Sequence, residues 1–416
     1  MAYRRGSVLE PSDQDRGAAS AGPEILFLFN HDAAHQVAHI AGIAAALRRR
    51  APELTITCAT GSRAIREHAV SILGERPAAQ LQWLDIALPA LVERMLALPN
   101  RVAPIRRVAR LDYHSMRLLR STILVSAERT CLRLKGRQPP ESVTRFVHVP
   151  HGAGDRAVAY HRAKGAFDRL LVGGQKTARQ LIEHGCARAE QIRVIGYPKF
   201  DAIRLDEAKS FFTNDNPVFV YNPHFDPFLS SWYRHGPDLL DWFASEAGRE
   251  FNCIFAPHIM LFRKKLHVSL QYGSVKMRPA IKATWREAPN ILIDTESERL
   301  VDMSYTLAAD AYIGDVSSQA YEFLVHPRPM FFLDVFSRRA RSREARYPIW
   351  SAGPVVQTVS ELTPLLSRFI RREADYSMIQ RRLFSETISF DTERTASECA
   401  ADAILELLEQ RGGAEQ

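Results

Sequence analysis

The chain lacks the cysteine pattern of a stapled or metal-bound fold. Its five cysteines, Cys58, Cys131, Cys186, Cys253 and Cys399, are scattered without a CxxC pair, so they read as buried thiols of a reducing compartment. No run of roughly 18 apolar residues occurs, and no membrane-spanning helix is expected. No GxGxxG follows the first apolar run, which argues against a nicotinamide dinucleotide site. Gly173-Gly174-Gln175-Lys176-Thr177 lacks the spacing of a P-loop. The single Asp-x-Asp pair, Asp13 and Asp15, lies in a polar opening stretch, so a carboxylate-held divalent metal has no support. That stretch, residues 1–22, has basic residues but no apolar core for a secretory signal, and is read as a disordered tail.

What the chain does contain is a regular alternation. EILFLFN (24–30), LTITCAT (54–60), LQWLDI, RFVHVPH (145–151), FDRLLVG (167–173) and IRVIGYP (192–198) are short apolar runs separated by stretches of helical period. A polar segment follows Phe200 and ends in turn residues before Pro217, and then a second series begins: PVFVYNP, NCIFAPH, NILIDT, DAYIGD and PMFFLD. Buried parallel strands read as continuous apolar runs. A chain of 416 residues exceeds one compact core. The expectation is therefore an α/β protein with two Rossmann-like domains facing across a cleft. The first spans 23–205 and faces acceptor and membrane, and the second, 216–375, holds a nucleotide donor. Helices over 376–412 pack back toward the first domain.

The net charge of +8 is concentrated in one place. Residues 101–137 hold nine Arg and one Lys against Asp112 and Glu128, interleaved with Val, Leu, Ile and Met. This predicts a basic interfacial helix that meets an anionic membrane surface or an anionic acceptor, and no nucleic-acid-coating face. The protein is then expected in the cytoplasm, peripheral at the inner face of the cell membrane.

Ligands of open α/β sheets bind beyond the carboxyl ends of the strands. In DAYIGDVSSQAYEFL a strand ends at Asp315 and a helix begins at Ser317 and Ser318, whose hydroxyls and neighbouring amides can hold a diphosphate. Glu322, four residues on, shares the face of Ser318 and could accept both hydroxyls of a ribose. His151, followed by Gly152, ends a strand run and is the candidate general base. His258 ends another and could donate to a leaving diphosphate. His31, His35 and His39 recur at a spacing metals can use, but two turns separate the outer pair and no carboxylate motif accompanies them. No metal or other cofactor is expected, and His31, His35 and His224 are read as cleft residues.

The order HG, GYPKFD, a strand-end PH, GDVSSQAYE and GPVVQTVSEL, over roughly 145–365, resembles the CDP-glycerol glycerophosphotransferases of teichoic-acid and capsule assembly. The resemblance implies a GT-B fold, a catalytic His151 in the HG motif and a second important His258. It places Asp315, Ser317, Ser318 and Glu322 at the donor, together with Gly152, Pro198 and Lys199, the last standing where the family has Arg. It further implies attack of an acceptor hydroxyl on the β-phosphorus of a CDP-linked donor, with a lipid-linked or polymeric acceptor. Two other readings share the pattern: a GT-B glycosyltransferase using a nucleotide sugar, and a non-catalytic nucleotide-binding protein of the membrane surface.

Overall fold

A computed structural model describes residues 22–31, 34–101, 104–140, 142–152, 161–269, 272–336, 347–368 and 373–412. All but the last residue of the tail expected over 1–22 lies outside them. Two parallel sheets organise the chain. The first contains β1 (Glu24–Phe29), β2 (Thr55–Thr60), β3 (Gln82–Asp85), β4 (Ile123–Ser126), β5 (Arg145–His148), β6 (Arg169–Val172) and β7 (Ile192–Val194), in the order β3-β2-β1-β4-β5-β6-β7. The second sheet contains β8 (Val218–Asn222), β9 (Asn252–Phe255), β12 (Ile291–Ile293), β13 (Ala311–Gly314), β14 (Met330–Leu333) and β15 (Val355–Val356), in the order β12-β9-β8-β13-β14-β15. A separate antiparallel hairpin pairs β10 (Leu266–Ser269) with β11 (Ser274–Met277).

Each central strand is buried on both faces, as a parallel sheet with covering helices requires. In β1, Ile25, Phe27 and Phe29 pack with helix Ala41–Arg50, while Leu26 and Leu28 join the opposite core with Leu118, Leu134 and Phe167. The second sheet divides likewise, with Phe219 and Tyr221 on one side and Val220 on the other. In both sheets the strand order reverses once, between β1 and β4 and between β8 and β13. At such a reversal neighbouring crossovers leave in opposite directions and open a crevice.

The basic segment departs from the expected interfacial helix. It is broken into helices Ile105–Tyr113 and Ser115–Leu118, the central strand β4, and short turns Arg129–Cys131 and Leu132–Lys135. Ile123-Leu124-Val125-Ser126 is fully buried between β1 and β5, so its apolar side chains serve the core. Several of the arginines are neutralised locally: Arg133 and Arg137 by Asp112, Arg106 and Arg110 by Glu93, and Arg107 by Glu128.

The GYPKFD stretch after β7 links the two halves. Asp201 accepts from the backbone N–H groups of Ala396 and Ser397, capping helix Ala396–Gly412, whose Ala400, Ile404 and Leu407 enter the core beneath β1. The preceding helix, Glu373–Thr387, ends against Gly173 and Gly174. A Cβ on Gly174 would lie 2.4 Å from the Thr387 carbonyl oxygen, a backbone atom that cannot swing aside. Gly174→Ala is thus expected to lower stability by about 1–3 kcal/mol, read as a lower urea midpoint. An unchanged midpoint would show that this crossing can open without penalty.

Candidate active site

The carboxyl ends of both sheets face one cavity of about 660 Å³. From the first domain it is lined by His31, His35, His39, Arg107, Glu128, Arg129, His148, His151, Gly152 and Lys164. The segment after β7 adds Lys199, and the second domain adds His224, His258, Arg263, Ser317, Ser318 and Glu322. His31 follows β1 and Glu128 follows β4, while His224 follows β8 and the Ser317 turn follows β13. The cavity therefore stands at the reversal point of each sheet.

Local backbone contacts fix which nitrogen of each key histidine is basic. His151 Nδ1 lies 3.1 Å from the Ala127 carbonyl oxygen, which can only accept. The proton is then on Nδ1 and the basic lone pair on Nε2. His258 is the reverse, because its Nδ1 accepts from the Met260 N–H at 3.2 Å, which places the proton on Nε2. His224 is held the same way by the Asp226 N–H at 3.0 Å. One wall thus offers a base, and the other offers two N–H donors. Around His151, the rings of His35 and His39 stand edge-on at 5.9 and 6.4 Å. Burial, reinforced by neighbouring cationic groups, takes His35 down to about 2 and His39 well below its usual range. Both remain neutral beside His151.

The second-domain turn is built as its sequence suggests. Ser317 is the N-cap of helix Ser318–Phe323, its Oγ accepting from the Ala320 N–H at 3.3 Å. Ser318 follows at the cavity wall and meets the first domain at Gly152, where a Cβ would come within 2.7 Å of the Ser318 hydroxyl. The glycine of the HG pair lets the two walls approach this closely.

Glu322 differs from the expected ribose contact. It is 3 % exposed, and Lys199 Nζ donates to both of its oxygens at 2.8 Å while Tyr197 Oη donates to Oε1 at 3.0 Å. The carboxylate ties the segment after β7 to helix Ser318–Phe323. Asp315 does not line the cavity. It is buried, and its Oδ2 accepts from the backbone N–H groups of His224 and Ser231 at 2.7 and 2.9 Å, which holds the β8 loop in place. Burial outweighs those bonds and pushes the carboxyl up to about 7. Pro198 likewise stays off the cavity wall and starts the short turn Pro198–Ala202.

Glu128 is the other acidic side chain of the cavity among the described residues. Burial acts to raise its pKa, but His31 at 3.1 Å, Arg107 and Thr130 outweigh it and hold the carboxyl at about 2. Sequence reasoning missed Glu128, Arg129, His148 and Lys164 as cavity residues. Only the position of Glu128 and Arg129 just past an unrecognised strand could have flagged them. Among the described residues no group of three or more His, Cys, Asp or Glu side chains is placed to hold a metal ion.

Comparison with known proteins bears on this geometry. Residues 270–406 match the sequence model of the family CDP-Glycerol:Poly(glycerophosphate) glycerophosphotransferase. No curated protein matches the chain in sequence. Among solved structures, the wall teichoic acid polymerase TagF superposes with a TM-score of 0.58 at 14 % identity, covering 94 % of this chain and 89 % of that one. A TagF variant soaked with CDPG gives 0.58 at 14 % identity, over 94 % and 90 %. A putative UDP-N-acetylglucosamine 2-epimerase from Listeria monocytogenes gives 0.57 at 12 % identity, over 95 % and 98 %. At these identities the structural likeness establishes the GT-B fold, which hosts more than one chemistry. The C-terminal third of the chain thus carries the sequence pattern of the CDP-glycerol glycerophosphotransferase family, on a GT-B fold.

Proposed function

We propose that the protein transfers glycerol phosphate, or a related polyol phosphate, from a CDP-linked donor to a hydroxyl of a lipid-linked or cell-surface polymer acceptor. The observation that carries this reading is the pairing of opposite histidine tautomers across one cation-rich cavity. His151 Nε2 takes the acceptor hydroxyl proton, and the oxygen attacks the β-phosphorus of the donor. One P–O bond forms, the bond to the bridging diphosphate oxygen breaks, and CMP leaves. His258 and His224 donate to the diphosphate oxygens from Nε2, where negative charge grows as that bond breaks. Ser318 and Arg263, on the same wall, add a hydroxyl and a positive charge.

Binding of CDP-glycerol to the full chain, followed by calorimetry, tests the donor assignment. The expected result is saturable binding that weakens about tenfold in Ser318→Ala. Preference for a UDP- or GDP-sugar would move the reading to the glycosyltransferase alternative, which the epimerase-like fold also accommodates.

We propose a membrane-facing surface over residues 91–120, which overlaps the expected 101–137 and extends it toward the N-terminus. No helix among the described residues is long and apolar enough to cross a membrane. Exposed Leu91, Met95, Leu98, Ile105, Tyr113 and Met116 instead cluster on the short helices that flank Asn100, Pro104 and Arg107 of the cavity, with Arg94, Arg117 and Arg120 exposed among them. Apolar side chains set among cations suit an anionic lipid surface. The protein then works as a peripheral enzyme at the inner face of the cell membrane. Sedimentation with anionic vesicles should be salt-sensitive and fall several-fold in a Leu91→Ser, Met95→Ser, Leu98→Ser variant. Equal sedimentation of variant and wild type would reject this surface.

A further inference from the structure

Among the described residues the cavity holds more positive charge than its carboxylates neutralise. The acidic side chains described there are Glu128 and Glu322, and these are occupied by Arg107 and Lys199. Arg129, Lys164 and Arg263 line the same cavity with no carboxylate in ion-pair reach among the described residues. Arg263 belongs to the donor wall. Arg129 and Lys164 belong to the opposite one.

Lys164 sits in the short turn Arg162–Ala166 just before β6, and Arg129 opens the turn after β4. Both turns lie on the first domain, which carries His151. Lys164 is 4 % exposed, and no described acceptor bonds its ammonium group. Burial, followed by the charge of Arg129, draws its pKa down to about 8, so at neutral pH the group is still mainly charged. Burial also lowers Arg129. His148 lines the same cavity, stacked on Phe167 at 4.7 Å and bonded through Nδ1 to the Ser126 carbonyl at 3.0 Å. Its ring is kept neutral by burial and then by the charges of Lys164, His151 and Arg129, so these groups share one neighbourhood.

A buried ammonium without a counter-ion costs several kcal/mol, and an anion arriving between it and a guanidinium removes that cost. Arg presents a planar fork of donors and Lys a compact charge, a pair suited to a tetrahedral oxyanion. We propose that Arg129 and Lys164 form a second anion site in the first-domain wall beside His151, which holds a phosphate group of the acceptor molecule whose hydroxyl His151 activates. The acceptor half of this statement rests on the proposed transferase reading. The anion site itself rests on the unneutralised pair. A phosphate held there orients the attacking hydroxyl while the donor diphosphate lies on the Ser318 wall, so the two anions are kept on separate groups of cations.

The test is titration of the full chain with inorganic phosphate and with glycerol 3-phosphate at fixed ionic strength and pH 7, followed by phosphorus NMR or calorimetry. It compares wild type, Lys164→Met, Arg129→Gln and Ser318→Ala, with CMP titrated in parallel. Both phosphate probes are expected to bind about tenfold or more weakly to Lys164→Met and Arg129→Gln, and within about twofold of wild type to Ser318→Ala. CMP should show the converse pattern. Lys164→Arg restores the charge and should regain most of the affinity, which separates loss of the site from loss of the fold. Phosphate affinity unchanged by Lys164→Met and Arg129→Gln, or lost only in Ser318→Ala, would overturn the proposal. The expected phosphate pattern with no CMP binding would sustain the anion site and remove the donor reading.

Discussion

Replacing His151 by alanine is expected to lower the rate of transfer by about 10²–10⁴ while leaving donor affinity within about threefold. The separation of the two effects follows from the architecture. His151 stands on the loop after β5 with its Nδ1 proton committed to the Ala127 carbonyl, so its Nε2 is pre-set as base. The proposed donor contacts, His224, His258, Arg263 and Ser318, come from the other domain. His35 and His39 beside it are kept neutral by burial. Single-turnover kinetics with saturating donor would report the chemical step alone. Normal turnover by the variant would remove His151 from the mechanism.

The largest expected effect on stability comes from the buried pair between Lys199 and Glu322. Their side chains are 6 % and 4 % exposed, and Tyr197 completes the shell around the carboxylate. Removing one partner leaves the other charged and desolvated, so Lys199→Met or Glu322→Leu is expected to cost about 3–5 kcal/mol. That is a large share of the roughly 5–15 kcal/mol by which a typical domain is stable. Joining the two substitutions should recover most of the loss, because an apolar pair leaves no buried charge. The pair also fastens the segment after β7 to the Ser317–Ser318 turn, so the single variants should weaken donor binding too. A urea midpoint for Lys199→Met equal to that of wild type would contradict this role.

Much of the fold was legible because both sheets are parallel and buried on both faces. Their strands therefore appear as short apolar runs, and the polar stretch before Pro217 separates the two series. Strand β4 was not legible, since Ile123–Ser126 is only four residues long and lies among arginines whose spacing imitates a helix. The hairpin of β10 and β11 also escaped notice. Its outward face of Leu266, Val268, Val275 and Met277 alternates with polar residues in pieces too short to stand out.

At the site, the histidines and serines could be found because strand-end positions are where ligands meet an α/β sheet. What they touch could not. Glu322 stands at helical spacing from Ser318, which suggested a shared ligand, yet its partner is Lys199, 123 positions earlier in the chain. Asp315 looked like part of the binding turn, but faces inward to hold the loop that carries His224. Lys164 and Arg129 carry no local motif, and only the juxtaposition of β4, β5 and β6 brings them to one wall. Pairings of this kind depend on topology, which periodicity along the chain does not encode.

The most direct test of the proposed chemistry is a donor panel offered to the full chain with an anionic-lipid acceptor extract, reading out the nucleotide released. The expected product is CMP from CDP-glycerol or a related CDP-polyol, lost in His151→Ala. Release of UDP or GDP from a nucleotide sugar, with no CMP from any CDP-linked donor, would contradict it.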